Sequence, residues 1–113
     1  ARPQVAYNSN LKEVIVAITQ NRVGATAVIK DNKIIGIVTD GDLRRMLQKE
    51  EDLAGITASG IMSSHPKSIE EDQLAVNALD LMRKNSVSQL LVTQNGTYTG
   101  VLHLHDLVRE GIF

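Results

Sequence analysis

The sequence predicts an α+β fold made of two copies of one β-α-β-β-α unit, and three observations predict it. Slid along itself by 64 residues, the chain overlays without a gap from Asn21 to Arg45, and after a one-residue slip further upstream: Gly36 falls on Gly100, Val28 on Val92, Asp42 on Asp106, Leu43 on Leu107 and Arg45 on Arg109. Within each copy a helical apolar pattern is followed by two short apolar runs of strand character. Between those runs lie Asp31-Asn32-Lys33 in one copy and Gln94-Asn95-Gly96 in the other, turn chemistry on turn chemistry.

The elements follow in order. A short extended stretch comes after Pro3 and again after Pro66. Leu11, Val14, Ile15 and Ile18 recur at helical spacing in copy one, and Leu74, Ala78, Leu79 and Met82 in copy two. Asn8 to Asn10 and Glu70 to Asp72 supply capping residues ahead of these helices. Strands are predicted over 25–30 and 34–39, and over 89–93 and 98–103, with second helices over 43–49 and 107–110. Repeat one thus occupies 1–50 and repeat two 65–113. A linker over 51–64 carries Gly55 and Gly60 as breakers and Ile61-Met62 as apolar anchors. A unit of about fifty residues with one small sheet cannot cover both of its faces. The two repeats are therefore expected to pack as one pseudo-twofold domain.

Composition removes several function classes. With 12 basic and 13 acidic residues the net charge is −1, and no basic stripe marks a nucleic-acid surface. Tyr7, Tyr98 and Phe113 are the only aromatics, too few for a base-stacking platform. Cysteine is absent, which excludes disulfides, thiolate metal sites and a Cys nucleophile and agrees with a reducing, cytoplasmic setting. The longest aliphatic run, Val14-Ile15-Val16-Ala17-Ile18, is far short of a membrane span. The chain begins at Ala1 without an initiator Met, and a piece of a longer protein is expected.

The tandem β-α-β-β-α unit, closed by Gly36-Ile37-Val38-Thr39 and then Asp42, resembles a pair of CBS domains, a Bateman module. The run TDGDLRR at 39–45 is similar to a string in the CBS pair at the C-terminus of D-arabinose-5-phosphate isomerases, and the ending LHDLVREGIF resembles that family's C-terminus. The resemblance implies a missing N-terminal sugar-isomerase (SIS) domain that holds the active site, with no catalytic residue in this chain. It also implies association into dimers of CBS pairs within a tetrameric parent, and no membrane or nucleic-acid partner.

In CBS pairs generally, the residues matching Thr39 and Asp42 bind a nucleotide, the hydroxyl at the phosphates and the carboxylate at the ribose. The chemistry fits, since a carboxylate accepts from both vicinal hydroxyls, and Gly41 at a helix start allows close approach of an anion. Arg44 and Arg45 stand one turn in, where a guanidinium can meet phosphate. The second copy departs from the pattern. Asp106 matches, but His103 replaces the Thr and His105 replaces the Gly, so this site either takes a different group, such as a carboxylate or sugar, or none. No cofactor is required. The expected effector is an adenine nucleotide (AMP or ATP), the wider family's default, or CMP-Kdo, the activated sugar downstream of arabinose-5-phosphate.

Rival readings use the same residues. Thr39 or Asp40 can simply cap a helix that Asp42 favours through its charge. His103 and His105 beside Asp106 suggest a metal site, but no third ligand is visible. Asp40-Gly41-Asp42 is not a calcium loop, because Arg44 and Arg45 fall where the loop needs an oxygen ligand and a glycine. Ser63-Ser64-His65 lacks the glycine elbow of a hydrolytic nucleophile. Two classes stay open: a ligand-sensing regulatory pair, of this isomerase or of another enzyme or transporter, and a structural oligomerisation module with decayed sites.

Overall fold

The computed structural model describes residues 2–111, so Ile112 and Phe113, the end of the LHDLVREGIF string, lie outside it. The chain forms two compact units, Pro3–Pro66 and residues 67–111 with Arg2.

The first unit runs β1 (Gln4–Ala6), α1 (Leu11–Thr19), β2 (Ala25–Lys30), β3 (Lys33–Thr39), α2 (Asp40–Lys49), α3 (Ala58–Ile61) and β4 (Ser63–Ser64). Its sheet has the order β1-β2-β3-β4, with β1 parallel to β2 and the others antiparallel. α1 starts at Asn10, whose side chain accepts the Glu13 N–H while the Glu13 carboxylate accepts the Asn10 N–H, a reciprocal cap. The β2–β3 turn places both Asp31 and Asn32 at positive φ, which short side chains that bond locally tolerate. Val14 and Ile18 of α1, Val28, Val38, Met46, Ala58 and Ile61 form the core.

The second unit repeats the plan as β5 (Ser68–Glu70), α4 (Ala75–Asn85), β6 (Gln89–Gln94), β7 (Thr97–His103) and α5 (Leu104–Arg109). Its sheet has the order β5-β6-β7, again with a parallel first pair and an antiparallel hairpin. The repeat extends to fine detail: Val28 faces Gly36 with a bulge at Val28/Ile29, and Val92 faces Gly100 with a bulge at Val92/Thr93. Ala78, Leu79, Met82, Leu90 and Leu107 form its core.

Three expectations need correction. Both second helices start three residues earlier than predicted, at Asp40 and Leu104, because Thr39 and His103 are themselves the N-caps. Leu74 was expected on the buried face of α4, but it is the N-cap without a side-chain cap bond and is 68% exposed. The Glu70–Asp72 run does not cap that helix either. Glu70 lies in β5, and its carboxylate accepts the Asn95 N–H (2.8 Å), the Gly96 N–H (3.3 Å) and the Thr93 hydroxyl, so it fastens the β6–β7 turn. These donors hold its pKa below the ordinary value, the Thr93 hydroxyl most strongly, against a smaller opposing effect of burial.

Within 51–64 the chain also folds against the first unit. Ala58 and Ser59 donate to the Ser9 and Tyr7 carbonyls, and Ser63 and Ser64 pair with Ile37 and Gly36. Gly36 is what admits this segment: a Cβ there would stand 2.4 Å from Met62 Sδ and 2.9 Å from the Ser63 carbonyl oxygen.

Candidate functional site

The TDGD stretch sits at the junction of β3 and α2. β3 ends at Thr39 with extended backbone (φ −109°, ψ 169°), which aims its hydroxyl at the free N–H groups of the helix start. Thr39 Oγ1 accepts the Asp42 N–H at 3.2 Å, and Asp42 Oδ2 accepts the Thr39 N–H at 2.9 Å and the Thr39 O–H at 3.1 Å. This is a reciprocal capping box in which Asp takes the place of the usual Glu. Capping therefore operates here.

The other Asp42 oxygen is engaged too. Oδ1 accepts Arg45 Nη2 at 2.7 Å and Ser63 Oγ at 3.1 Å. Asp42 is only 8% exposed, a burial that four donors make tolerable for an acidic group. Gly41 follows the cap closely, and a Cβ on it would meet Arg45 Nη1 at 3.2 Å and Thr39 Oγ1 at 3.6 Å. Asp40 is packed against Gly24, where an added Cβ would stand 2.3 Å from its carboxylate; the Asp40 N–H donates to the Gly24 carbonyl at 2.9 Å.

Of the residues singled out from the sequence, the structure brings Thr39, Gly41 and Asp42 together. Arg44 is exposed and its side chain makes no hydrogen bond or ion pair among the described residues; Arg45 is the arginine that engages the motif. A signal for this was legible, since Asp42/Arg45 recurs three residues apart as Asp106/Arg109. Ser63 was missed, because its part depends on β4 pairing with β3 and nothing local announces that.

The second unit builds a looser version. Asp106 accepts the His103 N–H at 2.8 Å and pairs with Arg109, and its side chain is 30% exposed. His103 Nδ1 accepts the His105 N–H at 2.9 Å, and the two imidazoles lie 4.3 Å apart, tilted by 51°. Among the described residues no three His, Cys, Asp or Glu side chains cluster as a metal site needs. Among the described residues no helix is long and apolar enough to cross a membrane.

The repeat, the Gly36-to-Asp42 strand-to-helix junction and its copy at Gly100-to-Asp106 agree with a comparison to protein families, in which the CBS domain matches residues 3–49 and 58–112. The chain belongs to the CBS domain family. Of solved CBS proteins, a signal-transduction protein with CBS domains from Burkholderia ambifaria superposes with a TM-score of 0.87 at 25% identity, over 99% of this chain and 83% of that one. A CBS domain protein from Pyrobaculum aerophilum complexed with AMP shares the fold at a TM-score of 0.82 and 24% identity, over 94% of this chain and 82% of that one. Among curated proteins, this CBS pair is 37% identical over 108 residues to the arabinose 5-phosphate isomerase KdsD of Francisella tularensis. It is 33% identical over 111 residues to KdsD of Escherichia coli K12. These alignments take in 95% and 97% of the chain but only 33% and 34% of the relatives, so the CBS pair spans about a third of their length.

Proposed function

We propose that this CBS pair is the regulatory, ligand-sensing part of an arabinose-5-phosphate isomerase. The isomerisation itself then belongs to a sugar-isomerase domain outside this chain, and the chain alone turns over no sugar phosphate. The observation that carries the reading is the 33–37% identity to KdsD isomerases along nearly the whole chain. The effector is an adenine nucleotide or the nucleotide sugar CMP-Kdo, held in the first unit by Thr39, Gly41 and Asp42, with a basic side chain from Arg44 or Arg45. CBS proteins of the same fold complexed with AMP support the adenine nucleotide. The second site, with His103, His105 and Asp106, binds more weakly or takes the sugar-acid portion. The pair associates into dimers through the parent's oligomer.

A second reading, a structural module without a ligand, draws on one observation: Thr39 and both Asp42 oxygens are already bonded within the chain. Calorimetric titration with AMP, ATP and CMP-Kdo separates the two. Saturable heat with any of them supports sensing, and none with all three supports the structural module.

A further inference from the structure

We infer that Arg45 is a latch on the first site: in the empty protein it occupies Asp42 Oδ1, and it exchanges that carboxylate for the phosphate of an incoming nucleotide whose ribose takes its place. The inference rests on the nucleotide reading above and adds to it how the site is controlled.

The four bonds to Asp42 fall into two kinds. Oδ2 takes the N–H and the O–H of Thr39, the residue that caps α2, so this oxygen is committed to holding the helix start. Oδ1 takes one N–H of Arg45 and the hydroxyl of Ser63, and both of these residues are exposed. The Arg45 side chain is 63% exposed, against 8% for the carboxylate it covers. A ribose diol needs an acceptor, and Oδ1 is the half of Asp42 whose partners can move away into water.

The position of the guanidinium supplies the rest. Its Nη1 lies 3.2 Å from the point where a Cβ on Gly41 would stand, so the group rests across the first turn of the ten-residue α2. Phosphate is favoured in that region by the positive end of the helix. A nucleotide therefore meets a guanidinium already placed beside its phosphate, and a planar fork of N–H donors suits phosphate well. Arg45 leaves one anion and gains another. A nucleoside breaks the first pair and offers no second, so the latch selects for phosphate. In the second unit His105 stands where Gly41 does, and no hydroxyl donor reaches Asp106 among the described residues.

The test is calorimetric titration with AMP and with adenosine of the wild type, Arg45→Ala and Arg45→Lys. Arg45→Ala is expected to bind adenosine roughly two- to fivefold more tightly than the wild type, the factor an exposed ion pair is worth. It should bind AMP about tenfold more weakly, and Arg45→Lys should keep part of the AMP preference. If Arg45→Ala keeps the wild-type preference for AMP over adenosine, the latch is overturned and the nucleotide reading stands. Loss of AMP binding with no gain for adenosine makes Arg45 a plain phosphate contact and also overturns the latch. If none of the three proteins binds either probe, the nucleotide reading falls and the latch falls with it.

Discussion

Ser63 Oγ donates to Asp42 Oδ1 across 3.1 Å, tying β4 to the first turn of α2 from 21 positions away. This bond changes what Asp42 is expected to do in the empty protein. An acidic residue in a first helical turn contributes roughly 0.3–1 kcal/mol, whereas removing this buried carboxylate also takes away its bonds to Thr39, Arg45 and Ser63.

Asp42→Ala is therefore expected to destabilise the ligand-free chain by about 1.5–3 kcal/mol, the range for hydrogen bonds to charged groups. Asp106→Ala, at the more exposed second site, should cost about 0.5–1 kcal/mol as an ordinary cap loss. Urea denaturation of both variants checks the order; equal costs would contradict the burial difference.

Gly36→Ala tests the docking of the segment after α2. Its Cβ would stand 2.4 Å from Met62 Sδ and 2.9 Å from the Ser63 carbonyl oxygen, so the β3–β4 pairing must shift. A cost of about 1–3 kcal/mol is expected, as for other overpacked sites. Faster amide exchange at Ser63 and Ser64 should accompany it.

Glu70 sets an acid limb. Its folded pKa is lowered from the ordinary 4.5, chiefly by the Thr93 hydroxyl and then the Asn95 N–H. A lowered carboxylate contributes stability above its unfolded pKa, and that contribution is lost as pH falls through the folded value. Glu70→Gln should flatten the decline in melting temperature below pH 4.5. An unchanged acid limb would contradict the turn-fastening role.

Tyr98 sets an alkaline limb. Burial pushes its pKa up to about 12 from 10.0, with Arg2 opposing. A raised tyrosine pKa gives stability that is complete below the unfolded value and is lost between about 10 and 12. Tyr98→Phe should remove that loss, as read from melting temperatures across the same range.

Much of this was legible because the signals were local. The hairpins showed through Asp31-Asn32 and Asn95-Gly96, and the first helix cap through the Asn8–Asn10 run, each within a few residues. What was hidden is non-local. Glu70 looked like a capping residue because it precedes a helix, yet its donors lie 23 to 26 positions away on the neighbouring hairpin. Ser63 looked like linker for the same reason. For TDGD the capping expected from the sequence is present: Oδ2 of Asp42 secures the cap, while Oδ1 is shared by two exposed side chains. Of the two arginines, Arg45 is the one that meets Asp42, because residues three apart on a helix meet and residues two apart do not.

The most direct measurement is the melting shift that AMP gives to the wild type and to Asp42→Asn, which keeps the shape of the side chain while removing its charge. At about one hundred times the dissociation constant, AMP should stabilise the wild type by about 2.7 kcal/mol, a shift on the order of 10 °C for a domain of this size. Asp42→Asn should melt lower without ligand and lose most of that shift at the same AMP concentration, while Asp106→Asn should keep most of it. A wild-type shift that survives Asp42→Asn intact would contradict the account, because the nucleotide would then be held somewhere other than the Thr39–Asp42 junction.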